Sequence, residues 1–171
     1  EEAIAAAGIF STGPEIAELA SGLAAEVASR EPDVLRRADA GLLCECHADL
    51  HLSNIVRLDG RLRVFDCLEF EPALRWIDVA EDAAFLCADL LGYGEPKLAA
   101  AFLDAYLAES GDYHACVVLP LYMADRALVR AKVVALQASH AQTPDPASIE
   151  LLRARHDAYL RVAEQALQAR E

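Results

Sequence analysis

His47-Ala48-Asp49-Leu50-His51-Leu52-Ser53-Asn54 is a polar loop in a chain that otherwise reads as helix, and Ile55-Val56-Arg57-Leu58-Asp59-Gly60-Arg61-Leu62-Arg63-Val64-Phe65-Asp66 follows it. Apolar runs at 55–58 and 62–65 flank Asp59-Gly60, the strongest short-range hairpin signal. A two-residue turn there sets Asn54 opposite Phe65 and Ser53 opposite Asp66. The Asn54 amide and the Asp66 carboxylate then share the open end of the hairpin, one residue out of register. Facing residues of an antiparallel pair lie ~5 Å apart, so both groups reach one cation. Two hard oxygen donors, completed by waters and phosphate oxygens, are the usual protein contribution to a Mg²⁺ site. Asp49, in the loop just before, is placed to meet an acceptor hydroxyl beside that ion.

Outward from this stretch, Leu42-Leu43-Cys44-Glu45-Cys46 suits a short buried strand. Upstream, residues 1–40 predict helices broken at Gly13-Pro14 and Glu31-Pro32, with Ile16, Leu19, Leu23 and Val27 at helical spacing. Downstream, Asp78 caps a helix over the apolar run 79–91, with Glu81 as the reciprocal half of a capping box. Further helices are expected over 95–109, 113–139 and 147–170, the second kinked or delayed by Pro120 and the last started by Asp145-Pro146. The fold class is therefore α+β, mainly α: one domain over residues 1–171, helical, with a small β-hairpin carrying the polar loop.

Composition narrows the function. Of 171 residues, 55% are hydrophobic and 25% charged, which predicts a packed core and excludes global disorder. Fifteen Lys and Arg against 28 Asp and Glu leave a formal charge of −13, which disfavours nucleic acid and anionic membranes as partners. The apolar run at 115–124 is too short to span a bilayer and holds Pro120. Five cysteines, an odd set scattered through apolar stretches, read as reduced, buried thiols of a cytoplasmic protein. The sequence opens Glu1-Glu2 with Met123 as its single methionine, as a fragment of a longer protein would.

The loop and the following Asp66 resemble the catalytic loop of protein-kinase-like enzymes, in which a His-Arg-Asp-Leu-x-x-x-Asn pattern precedes a metal-binding Asp. With Ala48 in place of that Arg, and His51 after Leu50, the wording is similar to the aminoglycoside phosphotransferase-like family. The string from Cys46 to Val56, Phe65-Asp66-Cys67-Leu68-Glu69-Phe70, Ile77-Asp78-Val79-Ala80 and Arg126-Ala127-Leu128-Val129-Arg130-Ala131-Lys132-Val133 resemble a bacterial branch of it, some members of which are fused to a P-loop ATP-binding domain. The resemblance spans about residues 40–135.

The resemblance implies a protein-kinase-like C-terminal lobe that transfers the ATP γ-phosphoryl group to the hydroxyl of a small molecule. Asp49 would be the catalytic base, with His47 bracing the loop. Asn54 and Asp66 would hold the Mg²⁺ that bridges the ATP phosphates, and Asp78 would hydrogen-bond the loop backbone from a helix start. Ala48 stands where the family commonly has Gly. Lacking the Arg of the kinase pattern, the loop has no partner for an activation-loop phosphate. A complete enzyme also needs an N-terminal ATP-binding lobe with a phosphate-covering loop and a Lys. Gly92-Tyr93-Gly94 is the one Gly-x-Gly, and it reads as a helix stop before Pro96. The chain is thus expected to be inactive alone, its partners being the missing lobe, possibly a P-loop domain, and a hydroxylated substrate.

Two other readings attach to the same residues. A kinase-like module without catalysis could bind a ligand or regulate an adjoining ATPase domain. His47, Asp49 and His51, preceded by Cys44 and Cys46, could instead ligate zinc in a hydrolase, although alternation along the strand opposes a shared site. Glu69 and Glu71 are weaker candidates, reading more as a solvated loop. Arg126 and Arg130, four residues apart, are expected to pair as structural support with Asp78, Asp82 and Asp89 on the earlier helix, or else to form a basic patch for an anion.

Overall fold

A computed structural model describes residue 10 and residues 13–140 and 145–169. The chain is mainly helical, with two small two-stranded sheets. Helix α1 (Gly13–Asp39) leads into strand β1 (Leu43–Glu45) and then the polar loop, which ends in a 3₁₀ turn at Leu52–Asn54. The hairpin β2 (Ile55–Leu58) and β3 (Arg61–Val64) follows, then a second 3₁₀ turn and β4 (Trp76–Asp78). Helices α2 (Val79–Gly92), α3 (Pro96–Ser110), α4 (Ala115–His140) and α5 (Pro146–Gln168) complete the chain.

Helix α4 is the central element, packed against α5, α2 and α1. Small residues make that possible. Ala124, Ala127 and Ala135 of α4 and Ala80, Ala84 and Ala88 of α2 are fully buried, so backbones approach closely with little side-chain entropy to lose. Gly92 shows the tightest case: a Cβ there would lie 2.1 Å from Tyr159 Cε1 on α5. One cluster of this core reaches the polar loop, where Leu86 and Leu90 of α2 and Ala99 of α3 pack on Leu50, Leu52 and Ile55.

The hairpin has the expected register, Ile55 facing Val64 and Leu58 facing Arg61. Asp59 and Gly60 both take positive φ (50° and 74°), as a type I′ turn requires.

Three expectations change, and one strand was not foreseen. Helix α1 runs through Glu31-Pro32 without a break. A proline removes one ladder hydrogen bond, and here the flanks outweigh it: Glu26 pairs with Arg30 before it, while Val34 and Arg37 are tied to the core and to Asp78 after it. The reading of residues 1–12 as helix lies outside the described residues apart from Phe10. The helix capped by Asp78 starts at Val79 as expected, and the unforeseen strand β4 just before it pairs antiparallel with β1, Leu43 facing Asp78. Pro120 does not delay α4, which begins five residues earlier at Ala115 and runs through the proline. Finally, the cysteines are free, but Cys116 is exposed and only Cys87 is buried. Among the described residues, no helix is long and apolar enough to cross a membrane.

Candidate functional site

The site is built around Asn54, which is 5% exposed. Its side-chain Nδ2 donates to the Asp49 carbonyl (2.9 Å), to Asp49 Oδ2 (3.1 Å) and to the Asp66 carbonyl (3.3 Å). The Phe65 amide donates to the Asn54 carbonyl (3.1 Å), extending the hairpin ladder one step toward the loop. The structure thus brings Asp49, Asn54 and Asp66 together at the open end of the hairpin. Asp66 sits at φ 59°, left-handed backbone that Asp tolerates better than most residues.

His47 braces this corner. Its Nε2 donates to the Phe65 carbonyl (2.9 Å) and its Nδ1 accepts from the Asp49 amide (3.3 Å), so both ring nitrogens are engaged. The Leu68 amide returns to the His47 carbonyl (3.1 Å), closing the chain after Asp66 back onto the loop. Ala48 is buried at φ 64°, a conformation that costs a non-glycine residue about 1–2 kcal/mol. Its exchange for the Gly common in the resembling family is therefore more than an added methyl group.

Of the three acids expected near the site, Asp82 and Asp89 hold the loop backbone and Asp78 does not. Asp82, not Asp78, hydrogen-bonds the loop backbone: its two carboxylate oxygens accept from the His47 and Ala48 amides, each at 2.8 Å. Burial pushes the Asp82 carboxyl upward, and those two donors pull it back down. Asp89, fully buried, accepts from the Leu52 amide (2.8 Å), from Arg130 Nε (3.0 Å) and from the Tyr159 hydroxyl. Asp78 caps α2 through the Ala80 amide, binds Arg37 at 2.6 and 2.8 Å and accepts from Tyr122. Asp112 binds the same guanidinium at 2.6 and 2.8 Å.

The two arginines of α4 divide accordingly. Arg130 pairs with Asp89 as expected, whereas Arg126 pairs with Glu81, which therefore does not close the cap. Both are engaged as structural ion pairs. Glu71 accepts from the Ala73 amide at the second 3₁₀ turn, and Glu69 is exposed. Gly92-Tyr93-Gly94 ends α2, as expected.

In the sequence, His51 figures only as a candidate zinc ligand and as part of the family resemblance. Its Nε2 lies 3.4 Å from Asp49 Oδ2, and its ring meets the Phe85 ring edge-on at 5.7 Å. Phe85 also carries the Arg126 guanidinium 5.2 Å from its centre. Burial, with the nearby Arg130 charge next in weight, pushes the His51 imidazole below 6.5, which favours the neutral ring. The signal available in sequence was a histidine two residues from an acid, flanked by two leucines, Leu50 and Leu52, that prove to be partly buried.

The donor set suits a hard divalent cation. The Asn54 amide spends its nitrogen on Asp49 and Asp66, which leaves Oδ1 as its oxygen donor for a cation. The Asp66 side chain is exposed and accepts no described hydrogen bond. Two such oxygens match the few protein ligands Mg²⁺ takes. Among the described residues, no group of three or more His, Cys, Asp and Glu could hold a metal. Cys44 and Cys46 face each other, with sulfurs 3.7 Å apart, and His47 has no ring nitrogen to spare.

The chain is 42% identical over 107 residues to an uncharacterised protein of Mycobacterium bovis and to two uncharacterised proteins of Mycobacterium tuberculosis. The match covers 63% of this chain and 22% of each relative, so the chain spans less than a quarter of the length of these relatives. No protein-family profile matches it. No solved structure matches it.

Proposed function

We propose that this chain is the C-terminal, kinase-like lobe of an enzyme that transfers the γ-phosphoryl group of ATP to the hydroxyl of a small molecule. The observation that carries the reading is the single Asn54 amide bonded to both Asp49 and Asp66, the three residues whose types and order resemble the phosphotransferase catalytic loop.

Phosphoryl transfer depends mainly on positioning and charge stabilisation, so the residues have defined tasks. Asp49 Oδ2 is committed to Asn54, which leaves Oδ1 to accept a hydrogen bond from the attacking hydroxyl. Asn54 Oδ1 and the Asp66 carboxylate would hold Mg²⁺, which when bound neutralises charge on the phosphates. Asp82, Asp89 and His47 keep the loop in this shape without touching the reactants.

Several large apolar side chains near the site in sequence are exposed. Phe70 is 82% exposed and Trp76 60%, with Phe65, Leu62 and Val64 also exposed. Exposed side chains of that kind suit a covering partner, in keeping with a second, nucleotide-binding lobe. The test uses the full-length protein with Mg²⁺-ATP and a panel of hydroxylated metabolites. Wild type should phosphorylate at least one, and Asp49→Ala should abolish turnover with the circular dichroism spectrum unchanged. Undiminished ATP-dependent turnover in Asp49→Ala refutes the assignment.

A further inference from the structure

We infer that His51 is a positioning residue, whose Nε2–H holds Asp49 Oδ2 so that Oδ1 alone faces the acceptor. The inference rests on the reading of Asp49 as the base.

Two nitrogens approach the same carboxylate oxygen: Asn54 Nδ2 at 3.1 Å and His51 Nε2 at 3.4 Å. They come from either end of a tight turn in which the His51 amide donates to the Asp49 carbonyl (3.1 Å) and the Asn54 amide to the His51 carbonyl (2.9 Å). The His51 ring has little freedom within this turn, because it is 9% exposed and seated against Phe85. Its other nitrogen, Nδ1, is buried and has no hydrogen-bond partner among the described residues.

That orphan decides the tautomer. With the proton on Nδ1, a buried N–H would lack an acceptor and the Nε2 lone pair would oppose a carboxylate oxygen, two unfavourable terms. With the proton on Nε2, the donor lies 3.4 Å from Asp49 Oδ2, close enough to bond after a small rotation, and only a lone pair is left unmet. The titratable and charged groups around the ring are Asp49 and His47 of the loop, Asp89 of α2 and Arg130 of α4. Asp89 and Arg130 neutralise each other at 3.0 Å, and His47 spends its nitrogens on backbone groups, so Asp49 is the partner left to His51. The 3.4 Å separation is long for a hydrogen bond, as contacts at catalytic groups often are before substrate binds.

Nitrogen-15 spectra of the chain at neutral pH test the pairing directly, together with the Asp49 carboxylate carbon shift. The Nε2–H tautomer is expected, and its signals should move in Asp49→Asn. The Asp49 carbon signal should shift in His51→Leu and return in His51→Gln, whose side-chain amide restores a donor near the same place. In the full-length protein, hydrolysis of Mg²⁺-ATP, with the Asp49→Asn rate subtracted, should lose about tenfold or more in kcat in His51→Leu with KM unchanged, and recover in His51→Gln. An Nδ1–H tautomer, or an Asp49 carbon signal indifferent to His51→Leu, overturns the inference. If wild type hydrolyses no faster than Asp49→Asn, the phosphotransfer reading falls, while the spectra still decide whether His51 holds Asp49.

Discussion

Replacing Asp89 by Asn changes one atom type at the point where the polar loop is fastened to the helices. Asp89 is fully buried and its carboxylate serves three donors: the Leu52 amide, Arg130 Nε and the Tyr159 hydroxyl. Asn keeps one acceptor oxygen and turns an NH₂ group toward donors. The Arg130 side chain, 13% exposed, is left without its counter-charge. Removing one partner of a buried pair costs about 3–5 kcal/mol. Whole domains are stable by only about 5–15 kcal/mol, so this is a large fraction. For a chain of this size it corresponds to a melting temperature lower by about 6–20 °C. Urea unfolding followed by circular dichroism measures the loss, and a cycle with Arg130→Met isolates the pair. The double variant should recover about 1–3 kcal/mol of the summed single losses. The Leu52 amide should also exchange faster in Asp89→Asn. A loss below about 1 kcal/mol, or strictly additive variants, would refute the claim that this ion pair anchors the loop.

Asp112→Asn tests the other buried network by pH. The Arg37 guanidinium holds the Asp112 carboxyl below its ordinary 3.8, so the stabilisation is complete above 3.8 and fades as pH falls through the lower native value. The variant should be less stable than wild type at neutral pH by about 1.5–3 kcal/mol, with the gap closing in acid; a gap constant with pH in urea titrations contradicts it. Gly92→Ala should destabilise by about 1–3 kcal/mol, because its Cβ would collide with the Tyr159 ring, and an unchanged melting temperature would show that α5 moves aside freely.

Much of the site was legible because its geometry is local. The Asp59-Gly60 turn sets the register, and the register carries Asn54 and Asp66 to the same end. What was not legible depends on contacts distant in sequence. Asp78, Asp82 and Asp89 look equivalent as a stripe on one helix, yet one binds Arg37, one the loop amides and one Arg130. Which acid meets which donor is decided by how α2 sits between α1, the loop and α4, and periodicity does not contain that. Strand β4 was hidden for a related reason. Three residues, Trp76 to Asp78, are too few to show alternation, and their strand character comes from β1. The positive φ of Ala48 was equally unreadable, since Ala is helix-forming by preference and the loop closure overrides it.

Everything chemical in this account depends on Asn54 and Asp66 facing one hard cation beside Asp49. Adding Mn²⁺ to the isotopically labelled chain reads that out directly, since a bound paramagnetic ion broadens only nearby signals. The Asn54 side-chain amide and the Asp66 and Asp49 backbone amides should broaden first, and Asp66→Ala should remove this selectivity. Broadening spread over the acidic helix surfaces, and indifferent to Asp66→Ala, would contradict it.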